Sequence, residues 1–168
     1  LLADLAAETE RLGDIRRMQI AELQGTFMGL LVRAIGARRA VEIGTFTGYS
    51  AICVARALPA DGRLLCCDVS TEWTDIARRY FDRAGVASKI DLRIAPALQT
   101  LASLPADLPP FDFGFIDADK RNQGNYFEAL IGRLRPGSVL YIDNVLREKR
   151  VLDTSNHDPD LATVRALN

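Results

Sequence analysis

Residues Ala40 to Ser50 read AVEIGTFTGYS. The segment joins an apolar strand, Ala40–Ile43, to a turn holding two glycines and then to the start of a helix, Ser50–Leu58. A strand that feeds a glycine turn and a helix is the unit with which doubly wound α/β sheets begin a nucleotide-type site. Gly44 and Gly48 have no Cβ, so the backbone there can come close to a ligand. The first turn of the helix leaves N–H groups free for a carboxylate or phosphate. Glu42 is the anomaly. An acid inside an apolar strand is costly unless something pairs with it, and a cationic ligand is a natural partner.

The chain beyond this unit keeps alternating. Asp61-Gly62 is a turn, and Arg63–Val69 is a second predicted strand that reaches Asp68 near its end. Ser70 or Thr71 caps a helix over Glu72–Ala84, which stops at Gly85. Lys89–Ala95 is a third strand, Ala97–Leu104 a short helix and Pro105–Pro110 a proline-rich loop. Phe111–Ile116 is a fourth strand, ending at Asp117. Gln123–Leu134 is a helix closed by Pro136-Gly137, and Ser138–Ile142 is a fifth strand, ending at Asp143-Asn144. The alternation implies a Rossmann-like, doubly wound, mostly parallel sheet with right-handed crossovers. Two accessory helices precede it. One covers Leu1–Arg17, with Leu2, Leu5, Leu12 and Ile15 on one face. After a loop over Met18–Gly25, the other is capped by Thr26 and ends at Gly36. Its expected buried face is Phe27, Leu30, Leu31 and Ile35. The reading is one domain over residues 1–168, with accessory helices over 1–36 and the α/β core over 37–168.

A chain of 168 residues suits one domain with a substantial core. With 21 basic and 22 acidic residues the net charge is −1, which gives no electrostatic case for nucleic acid or an anionic membrane. No apolar run is long enough to cross a bilayer. Cys53, Cys66 and Cys67 fall on apolar segments and read as core residues of a protein in a reducing, cytoplasmic setting. Cys66 and Cys67 are adjacent on a strand, so they face opposite ways. With no CxxC and a single His, in the polar stretch SNHDPD, zinc is not expected. That residue, His157, reads as a surface side chain.

Four of the five predicted strands carry acids inside or just past them: Glu42, Asp68, Asp117 and Asp143. The carboxyl ends of the strands are where open α/β sheets bind ligands. Asp68, after a glycine turn on the first strand, suits the two hydroxyls of a ribose. The alternative is a helix N-cap. The glycine spacing is Gly-x-x-x-Gly, which is neither the GxGxxG of a dinucleotide enzyme nor a P-loop. Adjacent strands lie about 5 Å apart. If the fourth and fifth pair, Asp117, Asp143 and Asn144 converge. Two carboxylates that close repel unless a cation sits between them. Oxygen ligands, few in number, suit Mg²⁺ or another hard divalent cation. Otherwise Asp117 and Asp143 cap the loops that follow them. Lys120, three residues after Asp117, would be a general base beside such a cation, or else a solvated surface lysine. Tyr49 is expected near the ligand pocket, Trp73 on the sheet edge or else near the ligand, Phe111, Phe113 and Phe115 in the strand core, and Tyr126 and Phe127 on a helix face against the sheet.

The segments AVEIGTFTGYSA, LLCCDVS, FIDADK and YIDNVL resemble, in this order, those of the cation-dependent O-methyltransferases, the group of catechol and caffeoyl-CoA O-methyltransferases. The resemblance runs from about Met18 to Asn168. It implies S-adenosylmethionine as methyl donor, with its methionine part held by Glu42, Gly44, Thr45 and Ser50. It further implies Asp68 on the ribose, Pro96 and Ala97 beside the adenine, and a backbone contact from Ile20. Asp117, Asp143 and Asn144 would ligate Mg²⁺, with Asp117 bordering the donor as well. Lys120 would take the proton of an acceptor hydroxyl, and Asp117 and Lys120 together would be the catalytic pair. A catechol-type small molecule is the implied acceptor, and a homodimer the implied assembly.

The chain also departs from that pattern. Ala95 stands where a Gly is common, and Glu22-Leu23 where Pro-Glu is common. Arg147, Glu148, Lys149 and Arg150 replace a Trp and glycines after Asp143-Asn144. This cluster would suit an acidic acceptor, or is a solvated loop with internal ion pairs. Family members continue past this point with a helix and two antiparallel strands. Asp160–Asn168 resembles the start of that helix, so the antiparallel hairpin is expected to be missing and a sheet edge bare. Two other readings stay open: a metal-independent methyltransferase of the same fold, and a donor-binding remnant without catalysis.

Overall fold

In a computed structural model of the protein, which describes residues 1–153 and 155–168 but not the side chain of Glu148, two helices precede an alternating α/β core. Helix α1 spans Leu2–Glu10 and α2 spans Glu22–Ala34. The core runs β1 Arg39–Ile43, α3 Tyr49–Ala57, β2 Arg63–Asp68, α4 Thr71–Arg83, β3 Ile90–Ile94 and α5 Ala97–Ala102. It continues with β4 Phe111–Ile116, α6 Gln123–Ile131, β5 Leu134–Ile142 and α7 Pro159–Leu167. All five strands are parallel, in the order β3-β2-β1-β4-β5. The chain winds outward from β1 to β3 and then returns to β4 on the other side of β1. The gap between the carboxyl ends of β1 and β4 is therefore the topological switch point, where such sheets open a crevice.

Register places the site. Cys67, Ile43, Ile116 and Ile142 stand side by side across the sheet. The residues that follow them are Asp68, Gly44, Asp117 and Asp143. Three acids from distant parts of the sequence thus share one rim, with glycine between two of them. Two apolar layers cover the sheet behind that rim. On one face Phe113, Phe115, Leu64 and Cys66 pack with Met28 and Ile52 of α2 and α3. On the other, Val41, Ile43, Cys67 and Ile116 pack with Leu101 and Leu130 of α5 and α6. Each fully buried large side chain contributes about 1.5–3 kcal/mol. Cys66 and Cys67 do face opposite layers.

Helix α1 is tied to the core by polar contacts. The Thr9 hydroxyl donates to Thr47 Oγ1 at 2.9 Å within the glycine turn. Glu8 accepts from Arg79 at 2.6 Å and from the Tyr80 hydroxyl at 2.9 Å on α4.

The N-terminal part differs from expectation. The first helix stops at Glu10, and a 3₁₀ helix over Gly13–Met18 follows it. Helix α2 starts at Glu22, not at Thr26, and Gly25 lies inside it. A Cβ on Gly25 would meet Cys53 Sγ at 2.8 Å and the Tyr49 ring at 3.2 Å, so this glycine permits close approach of α2 to α3. Read as a breaker, it conceals the buried stripe Gly25, Met28 and Val32. Phe27 and Leu30, expected inside, are 48% and 59% exposed. The end of α6 also differs. It stops at Ile131, and β5 begins at Leu134, so Pro136 and Gly137 lie within the strand. Its pairing jumps from Phe111–Leu134 to Phe113–Val139 there. Among the described residues β5 is an edge strand, where a proline is tolerated. No described helix is long and apolar enough to cross a membrane.

Candidate active site

The turn after β1 is shaped by positive φ. Gly44 has φ 91°, and the carbonyl oxygen of Asp117 occupies the space that a Cβ would need. Gly48 has φ 89° at the start of α3, where a Cβ would meet the Phe81 ring at 2.7 Å. The turn is pinned by Asp68. One carboxylate oxygen accepts from the backbone of Thr45 at 2.9 Å and of Phe46 at 2.8 Å. The other accepts from Val69 at 2.7 Å and Ser70 at 2.9 Å. Asp68 therefore clamps the two loops that follow β1 and β2. It is not the cap of α4; that role falls to Ser70, whose hydroxyl accepts from Trp73 N–H at 3.3 Å.

Glu42 lies under this turn, 1% exposed, and neither carboxylate oxygen completes a hydrogen bond. Burial pushes its carboxyl up to about 8. The nearby Ser50 and Thr45 hydroxyls oppose that rise, and Asp117 and Asp68 add to it. Thr45 Oγ1 is likewise buried without a partner. An unpartnered carboxyl beside an unpartnered hydroxyl fits a cationic ligand carrying its own donors and acceptors.

Across the rim, Lys120 Nζ donates to Asp117 Oδ1 at 3.0 Å, both side chains being largely buried. Burial raises the Asp117 carboxyl above its ordinary value; Lys120 lowers it, and the neighbouring Asp143 raises it. The two acids follow paired residues, Ile116 and Ile142, of adjacent strands, and both line one cavity. Asn144 follows with φ 59°, and its N–H donates to Asp143 Oδ1 at 2.8 Å. Among the described residues no group of three or more His, Cys, Asp or Glu is placed to hold a metal ion. Two carboxylates and an amide oxygen still form an all-oxygen set. That chemistry fits a hard cation which keeps several waters, as Mg²⁺ does.

A cavity of about 770 Å³ joins these groups. Its wall includes Ile20, Gly44, Thr45, Ser50, Asp68, Pro96, Ala97, Asp117, Lys120, Asp143 and Asn144, every site residue expected from sequence except Glu42. Glu42 sits behind the wall. Tyr49 lines the cavity as expected, and Trp73 does too, the second of the two places open to it from sequence. Trp73 meets Phe46 edge-on, with ring centroids 5.2 Å apart. Sequence reading missed Gln19 and Gln24 on the wall, each with a buried amide atom lacking a partner. It also missed Asp119 and Tyr126, joined by a 2.5 Å hydrogen bond. Nothing in the spacing of the two glutamines marks them: Gln19 follows the 3₁₀ helix and Gln24 lies in the first turn of α2. The space suffices for a nucleoside-sized donor and a small acceptor.

A family profile described as O-methyltransferase matches residues 1–168. The chain is 42% identical over 148 residues to the probable caffeoyl-CoA O-methyltransferase 2 of Dictyostelium discoideum, covering 86% of this chain and 64% of that protein. It is 38% identical over 167 residues to a catechol O-methyltransferase of Mycobacterium tuberculosis, covering 99% of this chain and 74% of that protein. Among solved structures it superposes on the O-methyltransferase TomG of Streptomyces achromogenes, involved in tomaymycin synthesis and solved in complex with SAM. The TM-score is 0.92 at 37% identity, covering 98% of this chain and 74% of that one. The chain thus spans less than two thirds of the Dictyostelium protein and about three quarters of the other two. Matched over its whole length by the family profile, and sharing the fold of a donor-bound relative, this chain belongs to the O-methyltransferase family.

Proposed function

We propose that the protein transfers a methyl group from S-adenosylmethionine to one hydroxyl of a catechol-type small molecule, with a divalent cation required. The observation that carries the reading is the pairing of two features, one just behind the wall of the cavity and one on it. An unpartnered buried carboxyl, Glu42, lies behind the glycine turn, and the Asp117–Lys120 pair with Asp143 lies across from it.

Bound S-adenosylmethionine would supply a methyl group made electrophilic by its sulfonium. A bound divalent cation would lower the pKa of a hydroxyl that it touches. The chain's residues do the rest. Glu42, Gly44, Thr45 and Ser50 hold the methionine end, with Glu42 toward the positive charge. Asp68 keeps the two loops together and turns its carboxylate to the ribose. Pro96 and Ala97 flank the adenine, and Ile20 contacts the donor from the segment before α2. Asp117, Asp143 and Asn144 hold the cation by oxygen. Lys120 Nζ takes the proton of the acceptor hydroxyl, so the oxygen attacks as an anion. Walls made by residues 17–21, Gln24 and Trp73 fix donor and acceptor together, and such fixing supplies much of the rate.

The test is methyl transfer from labelled donor to a panel of vicinal diphenols, with EDTA and with EDTA plus excess Mg²⁺. The expected outcome is loss with EDTA and recovery with Mg²⁺. Equal rates under both conditions would contradict the metal requirement. Donor binding without transfer to any diphenol would contradict the activity.

A further inference from the structure

We propose that Gln123 is a positioning residue for the Asp143–Asn144 tip of β5, and so for metal binding. The inference rests on the metal-dependent reading above. Gln123 opens α6 and is 1% exposed. Its Nε2 donates to the backbone carbonyl of Asp143 at 2.8 Å. A carbonyl only accepts, so chemistry fixes which way the amide faces. The other end of the side chain, Oε1, is buried with no partner. An apolar residue at this place would leave no oxygen stranded. The amide is explained by what its nitrogen does.

The tip needs such a hold. The Asp143 N–H donates to the Ile116 carbonyl at 3.0 Å. The chain then turns sharply, with Asn144 at φ 59°. The Asp143 carbonyl meets Gln123, which stands six residues after Asp117 at the end of the same loop. One loop thus carries the first carboxylate, Asp117, and grips the strand tip that bears the second, Asp143, and the amide of Asn144. Gln123 sets the spacing between the two halves of the oxygen set without lining the cavity itself.

The test uses the full chain with Gln123→Met, which keeps the length and removes the donor, and Gln123→Leu as a second variant. Mn²⁺ affinity is read from the electron paramagnetic resonance signal of free Mn²⁺. Affinity for S-adenosylhomocysteine is read by calorimetry. Both variants are expected to weaken Mn²⁺ binding by about 10–100-fold, the usual effect of losing a group that orients a metal ligand. Affinity for S-adenosylhomocysteine is expected to stay unchanged. Unchanged Mn²⁺ affinity in a folded variant would overturn the proposal, as would parallel loss of both ligands, which marks a merely structural role. A wild-type chain that binds no Mn²⁺ would overturn the metal reading itself, and this proposal with it.

Discussion

The carbonyl oxygen of Asp117 fills the space beside Gly44 that any side chain would claim. Gly44 N–H donates to the Cys67 carbonyl at 2.9 Å, and Asp117 N–H donates to the Ile43 carbonyl at 2.9 Å. The tips of β2, β1 and β4 are therefore stitched together, leaving no room for a side chain at Gly44. Gly44→Ala must either push the Asp117 loop away or abandon φ 91°. We expect a loss of about 2 kcal/mol or more in stability. Loss of donor affinity should accompany it, measured by denaturant unfolding and calorimetry.

Glu42 gives donor binding a pH dependence of definite sign. Burial raises its carboxyl from 4.5 to about 8, so the free protein carries it protonated at neutral pH. A cationic donor favours the ionised form, and a proton must leave on binding. Donor affinity should therefore rise with pH, by up to about tenfold per unit below about 8, and level off above. The free fold should respond the other way. It holds a proton that the unfolded chain has lost between 4.5 and about 8, so stability from this group falls as pH rises through that window. Glu42→Gln should flatten both profiles. Calorimetric titrations at several pH values, with unfolding curves beside them, check the pair of trends.

Lys120 is expected to act on the reaction rather than on donor binding. Lys120→Met keeps most of the side chain and removes Nζ from Asp117. Its kcat should fall by about 10²–10⁴-fold, the range for a lost general base. Donor affinity should hold. Steady-state kinetics with a diphenol acceptor, set against donor calorimetry, separates the two effects.

Trp73 is the sole tryptophan of the chain and lines the cavity beside Phe46. Its fluorescence should change and saturate as donor or S-adenosylhomocysteine is added. The midpoint should match the calorimetric Kd. Trp73→Phe should abolish the signal while leaving the fold intact by circular dichroism.

The strand and helix alternation after residue 39 was legible because β1, β2 and β4 are mostly apolar runs closed by a glycine or an acid, and β3 alternates apolar with charged residues. The convergence of Asp117 and Asp143 was legible too, as a consequence of β4 pairing with β5. The start of α2 was not. Gly25 is small because α3 passes close by, and a packing glycine looks the same in sequence as a turn glycine. Pro136-Gly137 misled for a related reason, since an edge strand with interrupted pairing accepts residues that a central strand rejects. The clamp that Asp68 makes on two loops depends on loop geometry that no periodicity encodes, as does the choice between cavity wall and sheet edge for Trp73.

The most direct measurement is a crystal structure with S-adenosylhomocysteine and Mn²⁺, read by anomalous scattering at the manganese edge. The expected result is one manganese peak bonded to oxygens of Asp117, Asp143 and Asn144, with the nucleoside between Asp68 and Pro96. A peak away from those three residues, or no peak with the nucleoside bound, would contradict the cation's role at this site.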